Sequence, residues 1–335
     1  MLHGLTEMSS SLADPVLQSQ WFVVAKSSDV IIGKPVQANL LGIDVVLWRT
    51  ETAIHAWRDL CIHRGAKLSL GHVQDDCLVC PYHGWKYADT GSCVFIPAQP
   101  DRTPPLRARA DAFFARERYG LVWICVGQPA GDIPNFPMAD DPSFRCILCG
   151  PYRFEAKGPR LIENFVDVGH LPIVHGELLG DPAHAIIADY EIHPGDADGE
   201  GPYSGEISIL QPDPDGTGRP GEVSYRYKVH APLTASFIKS QGSSRQCILD
   251  TVTPISENVS EAWAILALNY AHDTSDKSLQ LFQDKITLQD KLIVESQRPE
   301  LLPLDLQEEL HLRSDRMAIA YRTWLKTTNM KYGIA

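Results

Sequence analysis

The 335-residue chain holds no uninterrupted apolar run approaching the roughly 20 residues that a membrane-spanning helix needs. Its N-terminus lacks the basic, then apolar, pattern of a secretory signal, so a cytoplasmic location and no membrane partner are expected. Basic charge is in short supply: 30 Lys and Arg face 42 Asp and Glu, a net charge of -12. Phosphate would be repelled, which argues against nucleic acid as a partner. No Gly-rich dinucleotide fingerprint occurs, so the chain cannot draw electrons from a nicotinamide by itself. Internal repeats and low-complexity segments are missing too. Cysteine is plentiful at 8 residues, but Cys77, Cys93, Cys125, Cys146, Cys149 and Cys247 fall in apolar or mixed surroundings. Cys146-Ile-Leu-Cys149 has the spacing of a thioredoxin motif without its context, and reads as a pair of buried strand thiols in a reducing compartment.

With 44% hydrophobic and 21% charged residues, the composition is that of an ordinary globular protein, and the length favours two domains. The densest pattern runs from Cys61 to Tyr87. Cys61-Ile-His63-Arg-Gly and Cys80-Pro-Tyr-His83-Gly-Trp form two hooks, with sixteen residues between His63 and Cys80. Each hook offers one thiolate and one imidazole. By ligand type the set suits a [2Fe–2S] centre in which two His replace two Cys on one iron, and it also suits tetrahedral zinc. Gly65 and Ala66 follow the first hook and Trp85 follows the second, so few hydroxyl bonds to the sulfurs are expected and an iron–sulfur group here should sit toward the low end of its potential range.

Along the chain, residues 1–18 read as polar and frayed. Short strands follow around Trp21–Ala25, Pro35–Leu41, Asp44–Trp48 and Ala53–Trp57, and one more over Arg116–Val126. His55 reads as a surface strand residue and His72 as a loop residue. A turn-rich stretch around Gly131–Pro142 reads as a linker. Strand-like residues around Tyr152–Ala156 open a second domain, and polar–apolar alternation over 203–272 predicts an antiparallel sheet. The segment Asp213–Gly221 reads as a mobile loop. A helix capped by Ser275 carries Phe282, Ile286, Leu288, Leu292 and Ile293 as an expected buried face, and a last helix spans Ser314–Leu325. The fold class expected is α+β.

Residues 161–175 hold the second constellation, Asn164-x-x-Asp167-x-x-His170-x-x-x-x-His175. A continuous helix would put Asn164, Asp167 and His170 on one face, and Pro172 would then disturb it and swing His175 toward the same point. Two His with a carboxylate make a facial triad for Fe(II) with open positions for oxygen. Asp284 and Asp290 both lie on the Ser275 helix, and either carboxylate would need a partner if turned inward. Tyr225, Tyr227, Phe237 and Trp263 are candidate pocket residues.

His-Arg-Gly after the first hook, Pro-Tyr-His-Gly-Trp in the second, Glu117-Arg-Tyr-Gly-Leu-Val-Trp and Asp290-Lys-Leu-Ile-Val-Glu-Ser-Gln-Arg-Pro carry a resemblance. From about Trp21 onward the chain resembles the α-subunits of Rieske non-haem iron oxygenases, in the monooxygenase and demethylase branch that includes saxitoxin-pathway hydroxylases and caffeine N-demethylases. The resemblance implies a small antiparallel Rieske domain (20–128), a linker (129–150) and a helix-grip catalytic domain (151–335). It implies cluster ligands Cys61, His63, Cys80 and His83, and iron ligands His170, His175 and Asp290. Asp167 would bridge electron transfer, with Asn164 beside the iron. Also implied are a homotrimer, a separate NAD(P)H-dependent reductase or ferredoxin as electron source, and O₂ as co-substrate. The activity expected is monohydroxylation or oxidative demethylation of a small organic molecule. The alternatives are cis-dihydroxylation of a ring, and a Rieske electron carrier with no substrate of its own.

Overall fold

The computed structural model describes residues 12–176, 178–195, 201–214 and 218–335. The chain divides into two compact units, one running to Ile133 and including Ile255–Glu257, the other holding Pro134–Pro254 and Asn258–Ala335. The first begins earlier than its polar composition suggests. Helix α1 (Pro15–Gln18) is capped by Asp14, whose side chain accepts from the Val16 amide at 2.8 Å, and Leu17 is fully buried. Two buried leucines, Leu12 and Leu17, and a cap order the described part of the expected frayed segment.

Strands β1 (Phe22–Lys26), β2 (Val36–Leu40), β3 (Ile43–Arg49) and β4 (Ile54–Arg58) pair with β9 (Ala112–Arg118) and β10 (Leu121–Cys125) in the order β1-β10-β9-β4-β3-β2. The single strand expected over Arg116–Val126 is in fact the hairpin β9–β10. Tyr119 and Gly120, at φ 58° and 73°, make its two-residue turn, because two left-handed residues match the strand twist. A four-stranded meander, β5 (His72–Gln74), β6 (Cys77–Val79), β7 (Lys86–Tyr87) and β8 (Cys93–Phe95), lies between β4 and β9 in sequence. His72 therefore belongs to a strand rather than a loop. The core shared by the two sheets holds Trp48, Trp57, Leu68, Leu78 and Tyr87, together with Cys61 and Cys80. His55 is no surface residue: its ring stacks on Trp48 at 4.4 Å, and burial pushes its pKa down.

The second unit is built on one antiparallel sheet. Its strands are β11 (Arg145–Phe154), β12 (Ile192–Pro194), β13 (Tyr203–Gln211), β14 (Gly221–Ala231), β15 (Thr234–Gln241), β16 (Ser244–Ser256) and β17 (Val259–Leu268). Their order is β11-β17-β16-β15-β14-β13-β12. The alternation read over 203–272 is visible in β13, whose odd-numbered side chains are buried from Tyr203 to Gln211. On β11 the same alternation exposes Cys146 and buries Cys149, so only one of that pair is an interior thiol. The loop at Asp213–Gly221 falls partly outside the described residues.

Helices α2 (Gly158–Val166), α3 (Leu171–Val174), α4 (Asp276–Val294) and α5 (Arg316–Thr328) complete the α+β architecture. On α4 the Ser275 cap is present, its side chain accepting from the Ser278 amide at 3.1 Å. The expected apolar face, however, is largely exposed. Ile286 and Val294 are buried, whereas Leu288 and Leu292 are 58% and 74% exposed. The helix turns Gln283, Thr287 and Asp290 toward a cavity in its own unit, which leaves little inward surface for Leu and Ile.

Helix α2 is anchored by charge. Arg322 of α5 holds Glu163 through Nε to Oε1 at 2.5 Å and Nη2 to Oε2 at 2.9 Å, and Glu309 joins Arg322 and Arg160. The Arg322 and Arg160 side chains are each 3% exposed. Burial alone would raise the Glu309 carboxyl, but its two Arg partners hold it below the ordinary range. Removing one member leaves a buried charge alone. Arg322→Ala should therefore lower the unfolding free energy by about 3 kcal/mol or more. A loss under roughly 1 kcal/mol in chemical denaturation would show the network to be dispensable.

Candidate metal centres

The two hooks share one backbone design. The Cys61 amide donates to Ala66 O at 2.8 Å and the Gly65 amide to Cys61 O at 2.9 Å. In the second hook, the Cys80 amide donates to Trp85 O at 2.9 Å and the Gly84 amide to Cys80 O at 3.1 Å. Gly65 and Gly84 sit at φ 70° and 69°, the left-handed conformation that closes each loop at little cost only for glycine. Cys61 and Cys80 are buried, His63 is half-buried and His83 is exposed. The hook residues fall into two pairs. Burial, with Cys61 adding to it, pushes the Cys80 thiol up, and the His63 and His83 rings lie 4.5 Å apart, centroid to centroid. His63 Nδ1 is buried with no hydrogen-bond partner among the described residues.

Among the described residues, His170, His175 and Asp290 are the one group of three or more metal-ligating side chains whose atoms lie within 4.8 Å of one another. No three of the hook residues converge that tightly. A single tetrahedral zinc would draw all four ligand atoms to one point. A pair of thiols beside a pair of imidazoles instead suits a two-iron group with sulfur on one iron and nitrogen on the other. The Tyr87 hydroxyl lies 3.1 Å from Cys61 Sγ, a bond from the core side to a sulfur.

The trio is set by a broken helix, not a continuous one. Helix α2 ends at Val166, and Asp167 is already extended at φ -79°, ψ 130°. Its Oδ1 accepts from the Gly169 amide at 2.8 Å and its Oδ2 from His170 Nδ1 at 3.1 Å. Asn164, Asp167 and His170 thus do not share a helical face. The side chain of Asp167 competes with the helix for the backbone and turns the chain. Pro172 does not break a helix either: it lies in the first turn of α3, where its missing N–H and fixed φ suit a helix start.

Both imidazoles present Nε2 to the same carboxylate. Asp290 Oδ1 lies 3.4 Å from His170 Nε2 and 3.0 Å from His175 Nε2. The His175 contact lacks hydrogen-bond alignment, so this buried nitrogen has no hydrogen-bond partner among the described residues. His175 Nδ1 donates to Gln289 Oε1 at 2.9 Å. Each ring is thereby oriented by an acceptor behind it, as ligating His usually are. Asn164 Nδ2 reaches Asp290 Oδ1 at 3.5 Å. Asp284 points elsewhere and accepts from Tyr152 Oη at 2.7 Å.

The trio opens onto a cavity of about 100 Å³ whose walls include Tyr225, Tyr227, Phe237 and Phe165. Trp263 is buried outside that lining. Two residues that sequence reasoning did not find are here, Gln289 behind His175 and Asp250 in the cavity wall. Gln289 is the neighbour of Asp290, but no spacing rule marks a neutral amide as an imidazole's support.

Residues 20–110 match the Rieske [2Fe-2S] domain family, and residues 154–328 match the vanillate O-demethylase oxygenase C-terminal domain family. Methylxanthine N1-demethylase of Pseudomonas putida is 32% identical over 299 residues, 87% of this chain and 82% of its own. An oxidoreductase of the same organism is 40% identical over 116 residues, 34% of this chain and 20% of its own. The solved structure of the Pseudomonas putida CBB5 protein NdmA with caffeine aligns at a TM-score of 0.79 and 29% identity, over 93% of this chain and 90% of that one.

Charge at the trio sets a pH dependence. Burial alone would push His170 down, but the Asp167 and Asp290 carboxylates outweigh it and lift its pKa to about 9 in metal-free protein. The same pairings hold Asp290 low against its own burial. A cation must displace the proton on His170, so affinity should rise with pH, by up to about tenfold per unit, until about 9. Stability moves the other way. With the folded pKa above the unfolded value of about 6.5, this group stabilises metal-free protein below that pH, and the contribution is lost as pH climbs through about 9. Anaerobic Fe(II) or Co(II) titrations from pH 6.5 to 8.5 check the first trend, and a flat affinity would contradict it.

Proposed function

The chain belongs to the Rieske non-haem iron oxygenases, in their monooxygenase and demethylase branch, and from that membership we propose that it oxidatively demethylates a small N-methylated molecule. Its cofactors are a Rieske [2Fe–2S] cluster and mononuclear Fe(II), with O₂ as co-substrate. When bound, the cluster supplies electrons and the mononuclear iron activates oxygen. The observation that carries the reading is the His170, His175 and Asp290 trio opening onto an aromatic-walled cavity. The substrate type follows from the N-demethylase relative, and hydroxylation of a C–H bond is its first step.

In this proposal Cys61, His63, Cys80 and His83 hold the cluster within residues 20–128. His170, His175 and Asp290 hold the iron within 151–335, after a linker over 129–150. The donor sets fit: paired thiols and imidazoles for the one, two neutral nitrogens and a carboxylate for the other. Asp167 takes the hydrogen bond from His170 Nδ1 and so keeps Nε2 free to ligate; Gln289 does the same for His175. The apolar wall fixes the N-methyl group near the trio and excludes bulk water. Overall, R₂N–CH₃, O₂, two electrons and two protons give R₂N–CH₂OH and water. The carbinolamine then breaks its C–N bond to release the amine and formaldehyde. A separate reductase supplies the electrons, and three chains assemble as a homotrimer. No helix of the described residues is long and apolar enough to cross a membrane.

Supplied with a compatible reductase, the protein should release formaldehyde from N-methylated substrates. Asp290→Ala should lose mononuclear iron and this activity while the reduced Rieske paramagnetic signal survives, and Asp284→Ala should keep much of both. The reverse pattern would move the third ligand to Asp284.

Asp167 also connects the trio to its electron source in this proposal, accepting from His170 of its own chain and facing His83 of a neighbouring subunit. Cys80→Ser and His170→Ala should each be inactive alone. Co-expressed as verified mixed oligomers, they should regain substantial activity, since some interfaces pair an intact cluster with an intact iron site. Mixed oligomers that stay inactive would place electron transfer within one chain and remove that role from Asp167.

A further inference from the structure

One carboxylate in the cavity has nothing to bind. Asp250 lies on β16, opposite Ala235 of β15, on the cavity-lining row it shares with Gln246 and Ile248. Its accessible surface is partial. Among the described residues its side chain makes no hydrogen bond and no ion pair, unlike several polar side chains around it. Tyr152 donates to Asp284, the Gln246 side chain accepts from Tyr270, and Gln283 donates to Thr287. Asp290 is held between two imidazoles. No Lys or Arg lines the cavity. Burial and the Asp290 carboxylate push the Asp250 pKa up to about 7, the mark of a carboxylate missing a positive partner.

The sheet face beside Asp250 suits such a partner. Phe237 packs against Phe165 at 5.4 Å, Tyr225 at 5.2 Å and Tyr227 at 5.6 Å between ring centroids. Aromatic faces attract organic cations, most strongly where water is excluded. A half-buried acid with no counter-ion and a clustered aromatic wall thus occur in one cavity with the trio.

We propose that Asp250 selects a substrate bearing a positively charged nitrogen, a protonated N-methylated amine, held against its carboxylate and the neighbouring aromatic side chains. The inference rests on the N-demethylation reading and names its substrate class. Carboxylate or sulfonate substrates are disfavoured, because the cavity offers them a like charge and no cation to pair with. Neutral N-methylated amides or lactams leave Asp250 unpaired and bind less well. The charge is conserved through the reaction: R₂NH⁺–CH₃ is hydroxylated to R₂NH⁺–CH₂OH, which splits into R₂NH₂⁺ and formaldehyde.

The test separates binding from turnover. Protonated N,N-dimethylbenzylamine and neutral N,N-dimethylbenzamide share size and N-methyl groups but differ in charge. Anaerobic calorimetric titration of the metal-loaded protein should show the amine binding roughly ten- to a hundredfold more tightly than the amide. Asp250→Asn keeps the shape and should erase that preference, with iron content and the Rieske signal unchanged. In turnover its loss should appear in KM for the amine, with little change for the amide. Equal binding of the two ligands by the native protein, or an unchanged preference in Asp250→Asn, would overturn the inference. The comparison within native protein stands even if the variant folds poorly. If the amine binds preferentially but no formaldehyde appears, the demethylation reading fails and the charge selection stands.

Discussion

The bidentate pairing of Glu163 with Arg322 is the constraint on which the catalytic unit hangs. Neither charge tolerates isolation at such depth, so α2 has one seat against α5. Asn164 is the next residue along, and Asp167 ends the helix one turn later. The position of the bond network therefore decides where the helix stops, where the chain turns, and where His170 emerges. A polar anchor of this kind contributes more to geometry than to net stability, since a well-packed apolar substitute would bury as comfortably. Its value lies in permitting no sliding of the helix whose end sets the turn to His170.

The same logic recurs around the trio at shorter range. Asp167 and Gln289 accept from the outer nitrogens of two rings whose inner nitrogens meet one carboxylate. Three chain segments contribute: the turn after α2, the end of α3, and the C-terminal part of α4. The cavity beside them is aromatic on the sheet side, with polar α4 residues opposite. Inward-facing polar positions on α4 explain why its leucines look outward. One helix cannot give the same face to a metal-type site and to a hydrophobic core.

Much of this was legible in the sequence where local chemistry and spacing coincide. The hooks are contiguous, so their ligand types could be read directly, and the long strands alternate cleanly because one face of each is buried. Asp290 was singled out over Asp284 from the residues that follow it, and it is Asp290 that faces the two imidazoles. Other features were hidden for physical reasons. Residues at i, i+3 and i+6 look helical whether or not the helix continues, and only the side chain of Asp167 reveals the turn. Tyr119-Gly120 interrupts what reads as one strand, since Tyr gives no warning of a left-handed conformation. Asp250 occupies an ordinary polar slot in a strand pattern, and its isolation exists only once the sheet, α2 and α4 enclose it.

The hooks themselves have a further consequence. Each is closed by two backbone hydrogen bonds and a left-handed glycine, all within the loop and all independent of whatever its side chains hold. Their Cys side chains are embedded in a core of Trp48, Trp57 and Tyr87. Such a frame has little freedom to relax when the charge it encloses changes by one unit. In the language of electron transfer, a redox group held in such a frame would meet a small reorganisation energy from the loops. A rigid loop pair would then be a kinetic device, letting an electron leave without the backbone having to follow.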